Sequence, residues 1–420
     1  MNNKPSPFRP INLLSDNIDT NDNSGVAINE LKYLYKYIPE KGIKILERVF
    51  ENELKSNDYI DVLGAQTLIN ETIGMEKRLK KFDLNKALNE IECLEIGGQN
   101  SLLLRFNNLK KENPSFNKDS IKVQTLHSAK SEFLEENFRI KKFSDFLHTH
   151  GLAEIALENI NKLRPIFAEK KGGKKKYRIF ETNGDFYLRG ITSENYEDYN
   201  IPFSVCLCLL TIHRSYKNKS RNFKVRSIYI DDSNIEALFE SDQVTQLADI
   251  GFLKHSILLS NDEIRRKAVG ILGVSSIEYL TTEGKNRQVF FQPKKRLESA
   301  IFKIDHRITK DDKIRSSVQN FTDLVSKSEE KFFNDFKHLE KANDPNLLKF
   351  RIQEAIKNSR EESIKPFKEE FKIMLEREVK NMIALLEIMN KLSLIAQKDL
   401  EAKQYIRYLY YKEIVKKPTR

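Results

Sequence analysis

Cysteine is nearly absent from this 420-residue sequence, which holds three: Cys93, Cys206 and Cys208. So small and odd a number argues against a disulfide framework and fits a reducing compartment. Cys206 and Cys208 flank one residue inside an apolar run, a spacing unlike a redox pair, and no Cys/His spacing resembles a zinc site. Long hydrophobic runs are missing too. No apolar signal core opens the sequence, and the apolar stretch Phe203–Ile212 is far too short to cross a bilayer. A cytoplasmic protein without membrane contact is the expectation. Catalytic signatures are equally scarce. GxxxxGK[ST], GxSxG and HExxH do not occur, and His213, His255 and His306 stand in no local catalytic pattern. Nothing in the residues calls for a metal or an organic cofactor.

Charge is what the chain has in quantity. Charged residues make up 32% and hydrophobic residues 39%, a balance that suits exposed helices better than a compact enzyme. Lys and Arg number 72 against 61 Asp and Glu, a net charge of +11. Such an excess matters for partners where it clusters, because a cluster neutralises phosphates and releases their counterions. Spread out, it is a solvated, lysine-rich surface.

At this length two or three domains are expected. Residues 1–25 are polar and proline-containing and bury too little to offset their ordering entropy, so they read as a disordered lead-in, with Phe8, Ile11 and Leu13 as a docking motif in waiting. Residues 26–161 read as an α-helical domain. Leu31, Leu34, Tyr35 and Ile38, then Ile45, Leu46, Val49, Phe50 and Leu54, recur at helical spacing. Further helices are expected over 61–81, 83–93, 101–111 and 119–160, with Asp83 as a cap and Gly97-Gly98 as a stop. His127, His148 and His150 read as surface or capping histidines.

Residues 162–307 change character and read as an α+β domain with a mostly antiparallel sheet. Alternation marks strands at Tyr177–Glu181, Phe186–Thr192, Phe223–Ile230, Ile235–Glu240, Phe252–Leu259, Val269–Tyr279 and Arg287–Gln292. Asn183-Gly184 between the first two is a two-residue hairpin signal. Phe203–Ile212 reads as a buried helix opened by Pro202, with a buried strand as the alternative. From 308 to 420 the pattern is a long helical arm. Its last helix, from Pro366 to about Lys412, would span roughly 70 Å. The near-heptad of Phe371, Leu375, Val379, Met382, Leu386, Met389 and Leu392 would serve a coiled-coil hairpin, packing on its own chain, or a homo-oligomer.

The densest mixture of basic and aromatic residues lies on the hairpin. Lys174, Lys175, Lys176, Arg178, Arg189, Arg214, Lys217 and Arg221 would meet phosphates, and Tyr177, Tyr187 and Phe186 would offer stacking faces. DNA or RNA is the partner this implies. Two other functions compete with it. Asp231, Asp232, Glu240 and the Glu283-Gly284-Lys285 triplet would suit a Mg²⁺-dependent nuclease if a sheet gathered them. The C-terminal helices alone would suit an interaction scaffold.

Two segments carry a family resemblance. Arg189-Gly190-Ile191-Thr192-Ser193, followed by Tyr196 and Tyr199-Asn200, resembles the R-(A/G)-x-x-S-x-x-Y-x-x-x-(D/Y)-N stretch of an uncharacterised phage- and plasmid-associated protein family. Ser260-Asn261-Asp262-Glu263-Ile264, followed by Ala268, is similar to that family's S-N-S/D-E-x-G segment, although Arg265-Arg266-Lys267 stands where its glycine is expected. The resemblance implies a phage or mobile-element setting and a shared site at Arg189, Ser193, Tyr196, Asn200, Asn261 and Glu263.

Overall fold

The computed structural model describes residues 16–19, 22–98, 101–112, 116, 118–264, 269–293, 300–304, 306, 311–337, 339 and 344–415. Helices stand at both ends of the chain and mixed sheets fill its middle, an α+β fold. The first strands are short: β1 (Asp16–Asp19), β2 (Val26–Ala27), β3 (Tyr59–Ile60) and β4 (Val62–Leu63). β5 (Lys80–Ala87), β6 (Ile91–Ile96), β7 (Leu102–Phe106), β8 (Ile121–Thr125), β9 (Lys174–Thr182) and β10 (Asp185–Ser193) form a six-stranded sheet ordered β5-β9-β10-β8-β7-β6. β11 (Phe223–Ile230), β12 (Asn234–Leu247), β13 (Gly251–Asp262), β14 (Val269–Leu280), β15 (Asn286–Phe291) and β16 (Ala300–Ile304) join β1 and β4 in a larger sheet. Its spine runs β1-β11-β12-β13-β14-β15. Among the described strands, pairing is antiparallel except between β8 and β10 and between β4 and β11.

Alternation located the central strands well. β11 coincides with the run FKVRSIYI, whose Phe223, Val225, Ile228 and Ile230 are buried. The hairpin β9–β10 turns at Asn183 (φ 51°) and Gly184 (φ 80°), both left-handed as a two-residue hairpin turn requires. Gly172 (φ 52°) and Gly173 (φ 80°) end the helix Ala153–Lys171 and release the chain into β9.

Three expectations are corrected. The helices expected at 83–93 and 101–111, and the start of the one expected at 119–160, are strands β5 to β8. Leu84, Leu88 and Ile91 match a helical period, but β5 pairs with β9 along eight residues and β6 pairs with β7, so tertiary pairing outweighs the local period. The long C-terminal helix is instead three: Lys368–Leu375, Met382–Ile395 and Leu400–Val415. Asn381 Oδ1 accepts from Ala384 N and Asp399 Oδ1 accepts from Ala402 N, so each break carries a cap that restarts the helix. The near-heptad residues pack on β13, β14 and β15 of their own chain. Within the lead-in, Asp16–Asp19 adds β1 to the open edge of β11, where backbone pairing needs little apolar burial. Phe8, Ile11 and Leu13 lie outside the described residues.

The helix Ile201–Tyr216 is the apolar segment opened by Pro202, and it is buried on nearly every side. A helix apolar all round belongs in an interior. Asn200 caps it, its Oδ1 accepting from Phe203 N at 3.1 Å. The core around it joins Val26–Leu79 with the larger sheet and Ile314–Val325. A second core joins β5 to β10 with Ala129–Phe138 and Ala153–Lys171, and a third lies under the C-terminal helices. No described helix is long and apolar enough to cross a membrane.

Candidate functional site

The segments 189–200 and 260–264 meet where the two sheets face each other. Because β10 has a bulge between Leu188 and Gly190, Leu188 and Ile191 face the small sheet's own helices while Arg189 turns toward the larger sheet. Glu263 follows the end of β13. Its Oε2 accepts from Arg189 and, at 3.2 Å, from Lys81 of β5, while its Oε1 accepts from Ile201 N at 2.8 Å. The Glu263 carbonyl accepts from Arg178 of β9 and, at 3.2 Å, from the Tyr196 hydroxyl. Arg178 also pairs with Asp198 at 2.6 Å and Asp83 at 3.2 Å. Asn261 Nδ2 donates to the Tyr199 carbonyl at 2.8 Å, and its Oδ1 lies 3.2 Å from His306 Nε2. His306 stacks on Tyr196 with ring centroids 5.0 Å apart. Arg189, Tyr196, Asn261 and Glu263 thus converge. Asn200 lies beside them as a helix cap, its Nδ2 donating to the Tyr37 carbonyl at 2.6 Å. Ser193 is exposed and contributes its carbonyl to Tyr196 N. Ala268 and Arg265-Arg266-Lys267 lie outside the described residues.

The electrostatics of this cluster are those of a structural joint. Burial alone would raise the Glu263 carboxyl, but Lys81, Arg189 and Arg178 outweigh it and hold the group well below the ordinary carboxylate range. Burial raises the neighbouring Glu76 carboxyl, against the pull of Lys81 at 2.7 Å. Glu263 is fully enclosed and both its oxygens are engaged, so no substrate proton can reach it. A buried network of this kind specifies how two sheets sit together more than it adds net stability.

Lys81, Asp83, Asp198, Asp232 and His127 complete the cluster without having been singled out for it. Arg189 donates to the Asp232 carbonyl at 2.9 Å, and His127 Nε2 lies 3.0 Å from Asp232 Oδ1. Burial would raise Asp232, yet His127 and Ser233 keep its carboxyl low. His127 therefore ties β8 to the β11–β12 turn, with a left-handed backbone (φ 48°), rather than decorating the surface.

The expected phosphate contacts are mostly engaged inside the fold. Tyr177, Arg178, Tyr187 and Arg189 are buried, and no base can stack on Tyr177 or Tyr187. Lys175 pairs with Glu136 at 2.9 Å, and Lys176 donates to the Tyr196 carbonyl at 2.9 Å. Arg214 pairs with Glu53, Lys217 with Asp58 and Arg221 with Glu329. Lys174 is exposed. The strand period explains the outcome: both faces of β9 and β10 are covered, so alternate residues have no solvent side.

The far end of the hairpin is open. There Gly184, Asp185 and Phe186 border a cleft of about 620 Å³ with Arg105, Lys118 and Lys122. Lys122 lies opposite Arg105 across the β7–β8 pair, and Arg105 holds Glu92 at 2.8 Å. Lys118 and Lys122 are exposed and have no carboxylate partner among the described residues. Phe186 is half-buried, edge-on to Phe82 with centroids 6.1 Å apart.

Neither enzymatic arrangement assembles. Asp231 and Asp232 are buried in their turn, Glu240 pairs with Lys254 on the outer face of the larger sheet, and Glu283 pairs with Lys285 in an exposed turn. Among the described residues no group of three or more His, Cys, Asp or Glu is placed to hold a metal ion. His255 Nε2 lies 3.1 Å from Ser328 Oγ, with Glu329 3.4 Å from Nδ1. That order mimics a nucleophile–base–acid relay, but burial and Arg221 push His255 down to about 3, and Arg221 occupies Glu329. An imidazole so reluctant to take a proton is a poor general base.

No family model matches the chain, and no curated protein or solved structure is detectably similar to it.

Proposed function

We propose that this protein binds nucleic acid through the open end of its β9–β10 hairpin. Lys118 and Lys122 meet backbone phosphates there, and Phe186 offers an edge or face to a base. The observation that supports this most is the pair of unpartnered, exposed lysines beside a half-buried aromatic in a cleft of about 620 Å³. The net charge of +11 favours the same class of partner. The family resemblance adds a phage or mobile-element setting, in which DNA or RNA is at hand. A mobility shift on single- and double-stranded DNA and on RNA, each at two salt concentrations, tests the reading. Binding that weakens with salt and with Phe186→Ala is expected; absence of salt-sensitive binding to all three refutes it.

Self-association through the C-terminal helices is a second reading. Leu347 and Phe350 are 50% and 56% exposed and lie three apart on the helix Pro345–Lys357. Sedimentation of the full chain and of Phe350→Glu tests it, with loss of a dimer in the variant as the supporting result.

A further inference from the structure

The outer face of the larger sheet carries more positive charge than it uses. On that face Lys254 of β13 pairs with Glu240 of β12 at 3.2 Å and with Glu278 of β14. Gln288 Nε2 donates to Glu240 at 2.7 Å, and Asn286 donates to Glu278. Both carboxylates are therefore engaged within the sheet. The helices Met382–Ile395 and Leu400–Val415 wall this face and leave a cleft of about 510 Å³. Ligand clefts commonly run from about 300 to 1,000 Å³.

Three arginines on the cleft's walls, Arg226, Arg287 and Arg407, have side chains that make no hydrogen bond or ion pair with the described residues. Arg226 and Arg287 are exposed and water can satisfy them. Arg407 is only 6% exposed. Its guanidinium lies 4.9 Å from the centre of the Phe290 ring, an attraction that supplies no hydrogen-bond acceptor. The carboxylate it senses is Glu236, which already accepts from Gln404. Burial lowers its proton affinity, but an arginine keeps its proton in proteins, so the fold holds a largely buried cation whose fork of donors borders the cleft and meets no acceptor among the described residues. A buried charge is unfavourable until it is paired.

With Lys254 these arginines put four cations on the cleft's walls against Glu240 and Glu278, both already engaged by Lys254. One carboxylate ligand would answer Arg407 and leave the rest of that excess standing. A ligand with several negative oxygens answers all of it, and guanidinium forks match phosphate oxygens two at a time. We infer that this cleft binds a diphosphate-type group, with Arg407 as the forked donor at its base and Arg226 and Arg287 at its rim. The site is on a different sheet from the hairpin cleft and stands whether or not that cleft binds nucleic acid. A free nucleotide and a polynucleotide backbone share this chemistry, and separate titrations tell them apart.

The experiment is calorimetric titration of the full chain with pyrophosphate, with ADP and with a short oligothymidylate. Saturable binding of pyrophosphate and ADP is expected, weakened about tenfold or more by Arg407→Met. The Lys118→Gln/Lys122→Gln protein should bind both as well as wild type. Oligothymidylate binding that alone responds to Arg407→Met assigns the phosphates to a backbone instead of a free nucleotide. In phosphate-free buffer Arg407→Met should melt no lower than wild type, since it removes an unpaired charge. Should that variant fail to fold, the exposed pair Arg226→Gln/Arg287→Gln gives the same comparison. No saturable binding of any of the three ligands, or binding unchanged in Arg407→Met and in the rim pair, overturns the inference.

Discussion

Glu263 shows at the scale of one residue how this fold handles charge. It is fully buried yet ionised, because three cations from the small sheet surround it. Its carboxyl lies below its unfolded value, so it contributes stability that is present above the unfolded value and is lost as pH falls toward the folded one. Glu263→Gln leaves Arg189 and Lys81 short of a counter-charge and should lower unfolding free energy by about 3–5 kcal/mol. Glu76→Gln should stay within about 1 kcal/mol of wild type, because burial already raises that carboxyl and an amide oxygen still accepts from Lys81. Urea unfolding of the two variants at neutral pH checks the contrast. His255 has the opposite chemistry and the same direction with pH. Burial drops it from 6.5 to about 3, so the unfolded chain takes up the proton first as acid is added. Its contribution to stability should fall by about 1.4 kcal/mol per pH unit between those values. Stability measured against pH should therefore be flatter in that window for His255→Gln.

At the scale of elements, the close approach of the segments 189–200 and 260–264 depends on a missing side chain. A Cβ on Gly190 would stand 3.0 Å from the Ile264 Cβ. Gly190→Val should thus push β10 away from the end of β13 and destabilise by about 1–3 kcal/mol. Ile264→Ala in the same chain should return part of that loss, and a double-mutant cycle on denaturant midpoints measures it. The same elements show what a sequence can disclose. The hairpin and β11 to β15 were legible because their alternation and the Asn183-Gly184 turn are local signals. β5 to β8 were not, since Leu84, Leu88 and Ile91 fit a helix and only pairing with β9 and β7 decides otherwise. Arg189, Tyr196, Asn261 and Glu263 stand in two short motifs of the sequence, and the fold brings those motifs together. Lys81, Asp198, Asp232 and His127 were not legible, because contacts spanning 105 residues (His127 to Asp232) or 182 (Lys81 to Glu263) leave no spacing to read. The basic hairpin misled for a related reason: Arg178 looks like a surface residue until the larger sheet covers it, and Tyr177 until the small sheet's own helices do.

For the whole molecule, two sheets locked by buried charge leave two basic clefts exposed, one at the hairpin's far end and one beneath the C-terminal helices. The hairpin cleft carries the proposed function, and its lysines are free to act because the fold engages their neighbours instead. The most direct measurement is the affinity of the full chain for a labelled single-stranded oligonucleotide across a salt series, wild type against Lys118→Gln/Lys122→Gln. Each phosphate contact steepens the plot of log affinity against log salt by about 0.7 for a single strand. Loss of two contacts should make the slope shallower by about 1.4 and weaken binding at every salt concentration. Equal slopes and affinities for the two proteins, or no salt-dependent binding by either, would contradict the account.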